Sequence, residues 1–223
     1  MIDLSGLAPF ASGYNRHCYQ HPDDPALCLK VLRPENIEAR FQRQAWPKKV
    51  LGKARIDDNR QELRAHQQQA IRRLLARNQG ALVWAHLPLF YGSVETSRGH
   101  ANKSELIRCA DGSVAPTLQT CLSQVGLTPS LRLAIDEFIH WLKRTRILTR
   151  NLLPHNLVVT DRTGEPQLFL VDGLGAPTFP TALSTLPGWS SHHISRKIGR
   201  FEKRLVWEQN PDDLSWEDFQ RRR

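Results

Sequence analysis

A single lysine interrupts the most apolar strand-like stretch of the chain. Residues 26–32 read Ala-Leu-Cys-Leu-Lys-Val-Leu, which predicts a strand with Lys30 near its centre. A charge in a buried strand needs a partner of opposite sign. The next predicted helix opens with Asp57 and Asp58 and carries Glu62 near its start, so Glu62 is the candidate partner. The ordinary alternative is that Lys30 points to solvent.

Hydrophobic periodicity predicts an α+β chain. The N-terminal part predicts a strand meander at 7–32, a helix at 57–78 and strands within 81–84 and 91–94. The pattern breaks at residues 111–116. Beyond the break it predicts a helix around 131–142, a polar loop at 147–156, a hairpin of strands 156–160 and 167–171, and a helix at 191–208. We therefore expect one two-lobed domain, with a β-rich N-lobe at about 1–112 and a reduced helical C-lobe at about 113–223.

Composition limits the class of protein. No apolar run approaches the roughly 18 residues of a membrane span, and the N-terminus does not read as a signal peptide. The four cysteines are too sparse for a disulfide scaffold, which favours a reducing cytoplasm. The net charge of +9 suits nucleic acid, an anionic membrane surface or a phosphorylated ligand, and equally a merely solvated basic surface. No nucleic-acid-binding motif accompanies it.

Several further elements, in this order, indicate a phosphate-handling site. The turn at 11–16 contains Gly13, the polar loop ends at Asn156, and the second hairpin strand leads into Asp172. A lysine neutralises phosphates, while amide and carboxylate oxygens are the ligands that Mg²⁺ prefers. Each element alone has an ordinary reading, since a strand that ends in Asp-Gly is usually a plain turn.

These residues also resemble a known family. The run 152–156 followed by Asp172-Gly173 looks like the catalytic loop and metal-binding acid of protein kinases. More closely, the chain resembles the PhoP regulatory network protein YrbL family of kinase-like bacterial proteins, over about residues 5–205. The matching positions are Gly13, 16–19, 21–22, Cys28, Lys30, 62–63, 92–96, 147–149, Leu152, Pro154, Asn156 and Asp172.

The resemblance implies a protein-kinase-like fold that binds ATP with Mg²⁺. Lys30 then resembles the phosphate-binding lysine, and Glu62 its helix partner. Asn156 and Asp172 resemble the two magnesium ligands. The remaining nucleotide contacts fall on Gly13 in the glycine loop and on the adenine-binding hinge from Glu105 to Arg108.

Departures from the kinase pattern leave the activity open. Asn151 stands where the catalytic aspartate is usual, Leu153 replaces a lysine, and Gly173 replaces the usual Phe. One interpretation is an ATP-dependent phosphotransferase with weak activity. Only about fifty residues follow Asp172, too few for the large helical platform on which protein kinases bind peptide substrates, so the expected acceptor is a small molecule or a glycan. The alternatives are a pseudokinase acting as a regulatory or scaffold module for a protein partner, and a basic binder of nucleic acid or a membrane surface.

Overall fold

The α+β class predicted from the sequence is confirmed. The computed structural model describes residues 1–42, 57–175, 188–209 and 215–221. It divides into two compact units: unit 1 comprises Met1–Gln67 and Pro88–Leu106, and unit 2 comprises Gln68–Leu87 and Ile107–Arg223. The first is built around an antiparallel sheet and the second is mainly helical, which agrees with the predicted order of a β-rich region followed by a helical one. Within the described ranges, no helix is both long and apolar enough to cross a membrane.

Unit 1 is a five-stranded antiparallel sheet with the order β1-β2-β3-β5-β4. Its strands are β1 (Ala11–Ser12), β2 (Arg16–Gln20), β3 (Leu27–Leu32), β4 (Phe90–Thr96) and β5 (Gly99–Glu105). Helix α1 (Pro34–Gln42) follows β3, and helix α2 (Asp58–His66) packs on β3. Asp57 caps α2, because its side chain accepts a hydrogen bond from the Arg60 N–H at 2.9 Å.

Side-chain alternation along β3 separates an apolar face from a polar one. Leu29 and Val31 pack with Leu4, Tyr19 and Ala101 in a buried cluster. Lys30 points to the opposite face, as the period of two requires. The sequence pattern of β3 thus buries apolar surface on one side and presents a cation on the other.

Among the residues that the structure describes, unit 2 contains six helices and a hairpin. Its helices are α3 (Gln69–Ala76), α4 (Gly80–Trp84), α5 (Leu118–Val125), α6 (Pro129–Thr145), α7 (Trp189–Gln209) and α8 (Trp216–Arg221). A 3-10 turn (Pro154–Asn156) leads into β6 (Leu157–Thr160), which pairs antiparallel with β7 (Gln167–Leu170). Helix α6 begins at the cap Thr128 and buries Ile135, Phe138 and Leu142. The predicted hairpin and the helices at 131–142 and 191–208 are confirmed.

Two local predictions were wrong. Residues 57–78 form two helices, α2 and α3, because Gln68 leaves the helix to bind Leu148: its Oε1 accepts from the Leu148 N–H at 2.7 Å. Residues 81–84 lie in helix α4 rather than in a strand. A four-residue apolar run does not distinguish a buried strand from a buried helix turn.

Candidate functional site

The polar face of the sheet in unit 1 carries a buried ion pair. Lys30 Nζ donates to Glu62 Oε1 at 2.6 Å, with both residues less than one-tenth exposed. Strand β3 supplies the lysine and helix α2 the carboxylate. The structure therefore brings together the two residues that the sequence paired, while their roles toward a nucleotide stay predictions.

Glu62 meets a second cation that sequence reasoning did not assign. Arg16 on β2 donates from its guanidinium to Glu62 Oε2, also at 2.6 Å. Asn102 on β5 donates to the same oxygen at 3.0 Å. Burial opposes ionisation of Glu62, but the charges of Arg16 and Lys30 and the bond from Asn102 outweigh it and hold the pKa of Glu62 well below its usual range. The surroundings of Glu62 therefore favour its ionised form.

Asn59 fastens helix α2 to the sheet beside this carboxylate. Its side-chain amide donates to the Lys30 carbonyl at 2.9 Å and to the His100 carbonyl at 3.3 Å. In return, Asn102 donates to the Asn59 carbonyl at 3.0 Å. The register supports this arrangement, since Lys30 lies opposite Asn102 across β3 and β5.

Gly13 lies in the turn between β1 and β2, as the glycine-loop prediction requires. Its N–H donates to the Arg16 carbonyl at 2.9 Å, and the chain bends back into the sheet there. Gly13 has an ordinary φ, and an added Cβ would lie 3.7 Å from that carbonyl oxygen. The fold itself therefore does not require glycine here, and any need for it concerns what approaches the turn.

In unit 2, the predicted catalytic loop is held by the backbone of Gly173. The Gly173 carbonyl accepts from the N–H groups of Arg150 and Asn151, at 2.7 and 3.1 Å, and from Thr149 Oγ1 at 2.9 Å. Gly173 has φ +80°, and a Cβ on it would lie 2.3 Å from the Asn151 carbonyl oxygen. Glycine, rather than the usual Phe, is what allows this close approach.

Asn156 and Asp172 are neighbours in the hairpin region. The Asn156 carbonyl accepts from the backbone N–H groups of Val171 at 3.0 Å and Asp172 at 3.4 Å. The Asn156 side chain is buried and donates from Nδ2 to the Asn151 carbonyl at 3.0 Å, which orients its Oδ1. Asp172 Oδ1 accepts from the Gly173 N–H at 2.6 Å. Amide and carboxylate oxygens are ligands of the kind that Mg²⁺ prefers.

Asn151 is exposed within the loop at 147–156. Its backbone is fixed on both sides, by the Gly173 carbonyl and by the Asn156 side chain. The loop backbone is therefore hydrogen-bonded around a residue whose side-chain amide does not act as a general base.

The two predicted hinge residues belong to different units, and each is engaged within its own. Glu105 ends β5 opposite Leu27, and its carboxylate accepts from the Leu89 N–H at 3.1 Å. The Arg108 guanidinium donates to the Gly112 carbonyl at 2.6 Å, and its own carbonyl accepts from Thr160 Oγ1 at 2.6 Å. Their role in binding adenine stays a prediction.

Sequence reasoning missed two residues of helix α7 that support the catalytic loop. His193 is buried, and its Nε2 N–H donates to the Thr149 carbonyl at 3.0 Å. Lys197, one turn later, donates to the Arg150 carbonyl. Burial, followed by the nearby charges of Arg200, Arg196 and Arg150, lowers the pKa of Lys197. In the sequence, the spacing of four residues places His193 and Lys197 on one face of the helix. The same spacing is equally typical of an ordinary solvated helix face.

The chain matches a family of known proteins over most of its length. The family described as PhoP regulatory network protein YrbL matches residues 2–208. The chain belongs to the YrbL family. Proteins named YrbL from Escherichia coli (strain K12) and Shigella flexneri are each 28% identical to it over 213 residues, which cover 92% of this chain and 87% of the relative. The family resemblance noted from the sequence is confirmed.

Solved structures similar to this chain include kinase domains. The Mycobacterium tuberculosis PknI kinase domain, in the form of a single cysteine-to-alanine mutant, has a TM-score of 0.47 and 16% identity, covering 92% of this chain and 74% of that one. The PknI kinase domain without the mutation has a TM-score of 0.45, also at 16% identity, covering 91% and 73%.

Proposed function

We propose that this YrbL-family protein binds ATP together with Mg²⁺ and transfers the terminal phosphate slowly. Lys30, held by Glu62, neutralises the phosphates. Asn156 and Asp172 hold the metal ion.

The observation that carries this proposal is the buried pair of Lys30 and Glu62. Burying charges has a substantial desolvation cost, and replacement of a buried ion pair by apolar residues is often neutral or stabilising. A lysine at the centre of a strand, fixed at 2.6 Å by a carboxylate from a packed helix, is therefore better explained by a charged ligand than by stability alone. Phosphoryl transfer uses this arrangement, since it relies chiefly on positioning and charge neutralisation.

The oxygen donors of unit 2 suit magnesium. Asn156 is oriented by its bond to Asn151, and Asp172 supplies the negative charge. Magnesium usually takes one or two protein oxygens together with phosphate oxygens and water, so two residues suffice. When bound, the ion would neutralise charge on the phosphates.

Asn151 sets the expected rate. General-base assistance is typically worth about 10²–10⁴-fold, and an amide does not provide it. The neighbouring backbone is nevertheless fixed by Gly173 and Asn156, so positioning is retained. We expect slow transfer for this reason.

The exposed Asn151 also favours a second candidate function, a pseudokinase. In that case the bound nucleotide stabilises one conformation for a protein partner, and no phosphate is transferred. Nucleotide binding is common to both candidates, and only the chemical step separates them.

Single-turnover assays with γ-labelled ATP separate the two candidates. Protein, lipid and sugar acceptors would be tested with the wild type, with Asn151→Asp and with Asp172→Asn. The phosphotransferase proposal predicts slow labelling that Asn151→Asp accelerates by up to about 10²–10⁴-fold and that Asp172→Asn abolishes. Tight ATP binding without labelling by either the wild type or Asn151→Asp would instead support the pseudokinase.

A further inference from the structure

The carboxylate of Glu62 has two oxygens, and each of them meets a different cation. Oε1 accepts from Lys30 and Oε2 from Arg16, both at 2.6 Å. Asn102 adds a third donor on Oε2, at 3.0 Å. Arg16, Lys30 and Asn102 are all buried. Arg16 and Asn102 therefore fix the orientation of the carboxylate through Oε2, independently of the lysine on Oε1.

Arg16 also ties the turn that contains Gly13 to helix α2. It is the first residue of β2, and its carbonyl accepts from the Gly13 N–H. Its guanidinium reaches Asn59 Oδ1 at 3.4 Å in addition to Glu62. The preceding residue, Asn15, donates to Asp58 Oδ2 at 2.6 Å. Adjacent residues of the turn thus contact the first two turns of α2.

A carboxylate held by one cation alone can follow that cation when it moves. A second cation on the other oxygen removes this freedom, because rotation of the carboxylate would break the Arg16 bond. Charge-assisted hydrogen bonds of this length are roughly twice as strong as neutral ones. Glu62 consequently presents Oε1 in one direction, and this direction sets where the Lys30 ammonium lies.

We infer that Arg16 is a positioning residue, which holds Glu62 and thereby directs Lys30 toward the phosphates of the nucleotide. The inference rests on the proposed function, since it concerns how the proposed phosphate-binding lysine is oriented. Arg16 does not itself touch the ligand. Its contribution therefore depends on the phosphates and is absent for a ligand that lacks them.

The test compares two ligands that differ only in phosphate. Dissociation constants for ATP and for adenosine, both with magnesium, would be measured by calorimetry for the wild type, Arg16→Met and Arg16→Lys. Arg16→Met should weaken ATP binding by about tenfold, the loss expected for a displaced charge-assisted contact, and leave adenosine binding unchanged. Arg16→Lys should recover part of the ATP affinity, because an ammonium group can still reach Oε2.

Arg60→Met is the matched control. Arg60 lies on the same helix and carries the same charge, but it is exposed and pairs with Asp57 at 3.4 Å. It should change neither dissociation constant.

The outcomes separate this inference from the proposed function. If Arg16→Met weakens ATP and adenosine equally, or neither of them, the positioning role is overturned while nucleotide binding stands. If Arg16→Met does not fold, Arg16→Lys decides: an unchanged ratio of ATP to adenosine affinity overturns the inference, and a lowered ratio supports it. A wild type that binds neither ligand overturns the proposed function and this inference together.

Discussion

Because Glu62 pairs with both Arg16 and Lys30, removing the charge of Glu62 should destabilise unit 1 more than removing the charge of Lys30. In the wild type, Arg16 and Lys30 each lie 2.6 Å from an oxygen of the Glu62 carboxylate. Glu62→Gln leaves both cations buried beside a neutral amide. Removing one partner of a buried ion pair typically costs about 3–5 kcal/mol. Lys30→Met leaves Glu62 paired with Arg16, so its cost is close to that of one hydrogen bond to a charged group, about 1.5–3 kcal/mol.

Urea denaturation followed by far-UV circular dichroism measures both losses. Glu62→Gln should lower the free energy of unfolding by roughly 2 kcal/mol more than Lys30→Met does. Glu95→Gln, on the exposed side of β4, is the control and should stay within about 0.5 kcal/mol of the wild type. Equal losses for the two buried variants, or a larger loss for Lys30→Met, would show that Arg16 alone does not keep the Glu62 carboxylate adequately paired.

Two further predictions concern backbone strain and pH. Gly173→Ala should lower the melting temperature by several degrees more than Gly112→Ala. The two glycines have nearly the same φ, +80° and +82°, but only at Gly173 would an added Cβ clash with Asn151. Equal losses in the two variants would contradict this steric explanation. Burial lowers the pKa of His66, which stacks on Phe90 at 4.0 Å, to about 4. As the pH falls, His66 in the unfolded state therefore takes up a proton at a higher pH than His66 in the folded state. The free energy of unfolding should consequently fall by about 2 kcal/mol between pH 7 and pH 5 on account of this residue. In His66→Leu, chemical denaturation at the two pH values should show a smaller difference by that amount, and an unchanged difference would exclude His66 as a source.

The sequence predicted the two long amphipathic helices and several of the strands. Helices α6 and α7, strand β3 and the hairpin of β6 and β7 lie close to their predicted bounds. It did not predict the break between α2 and α3, because the side chain of Gln68 bonds to Leu148, eighty residues away. Nothing near Gln68 in the sequence indicates that contact.

The candidate site was predictable to a similar extent. Lys30 was noticeable as a lone charge in an apolar strand, and Glu62 as an acid at the start of the next helix. Arg16 was not, because the first residue of a short strand is often charged and exposed, and its partner lies 46 residues further on. His193 and Lys197 were hidden for the same reason, since their contacts with the catalytic loop depend on tertiary packing.

Thermal unfolding with and without ATP and magnesium measures whether the protein binds the magnesium nucleotide. The wild type would be compared with Asp172→Asn, which keeps the side-chain oxygen near the Gly173 N–H and removes the charge. Ligand at about 100 times its dissociation constant should stabilise the wild type by roughly 2.7 kcal/mol. We expect a magnesium-dependent rise in the melting temperature of the wild type, which Asp172→Asn should lose. No rise in the wild type, or an equal rise in both proteins, would contradict this expectation.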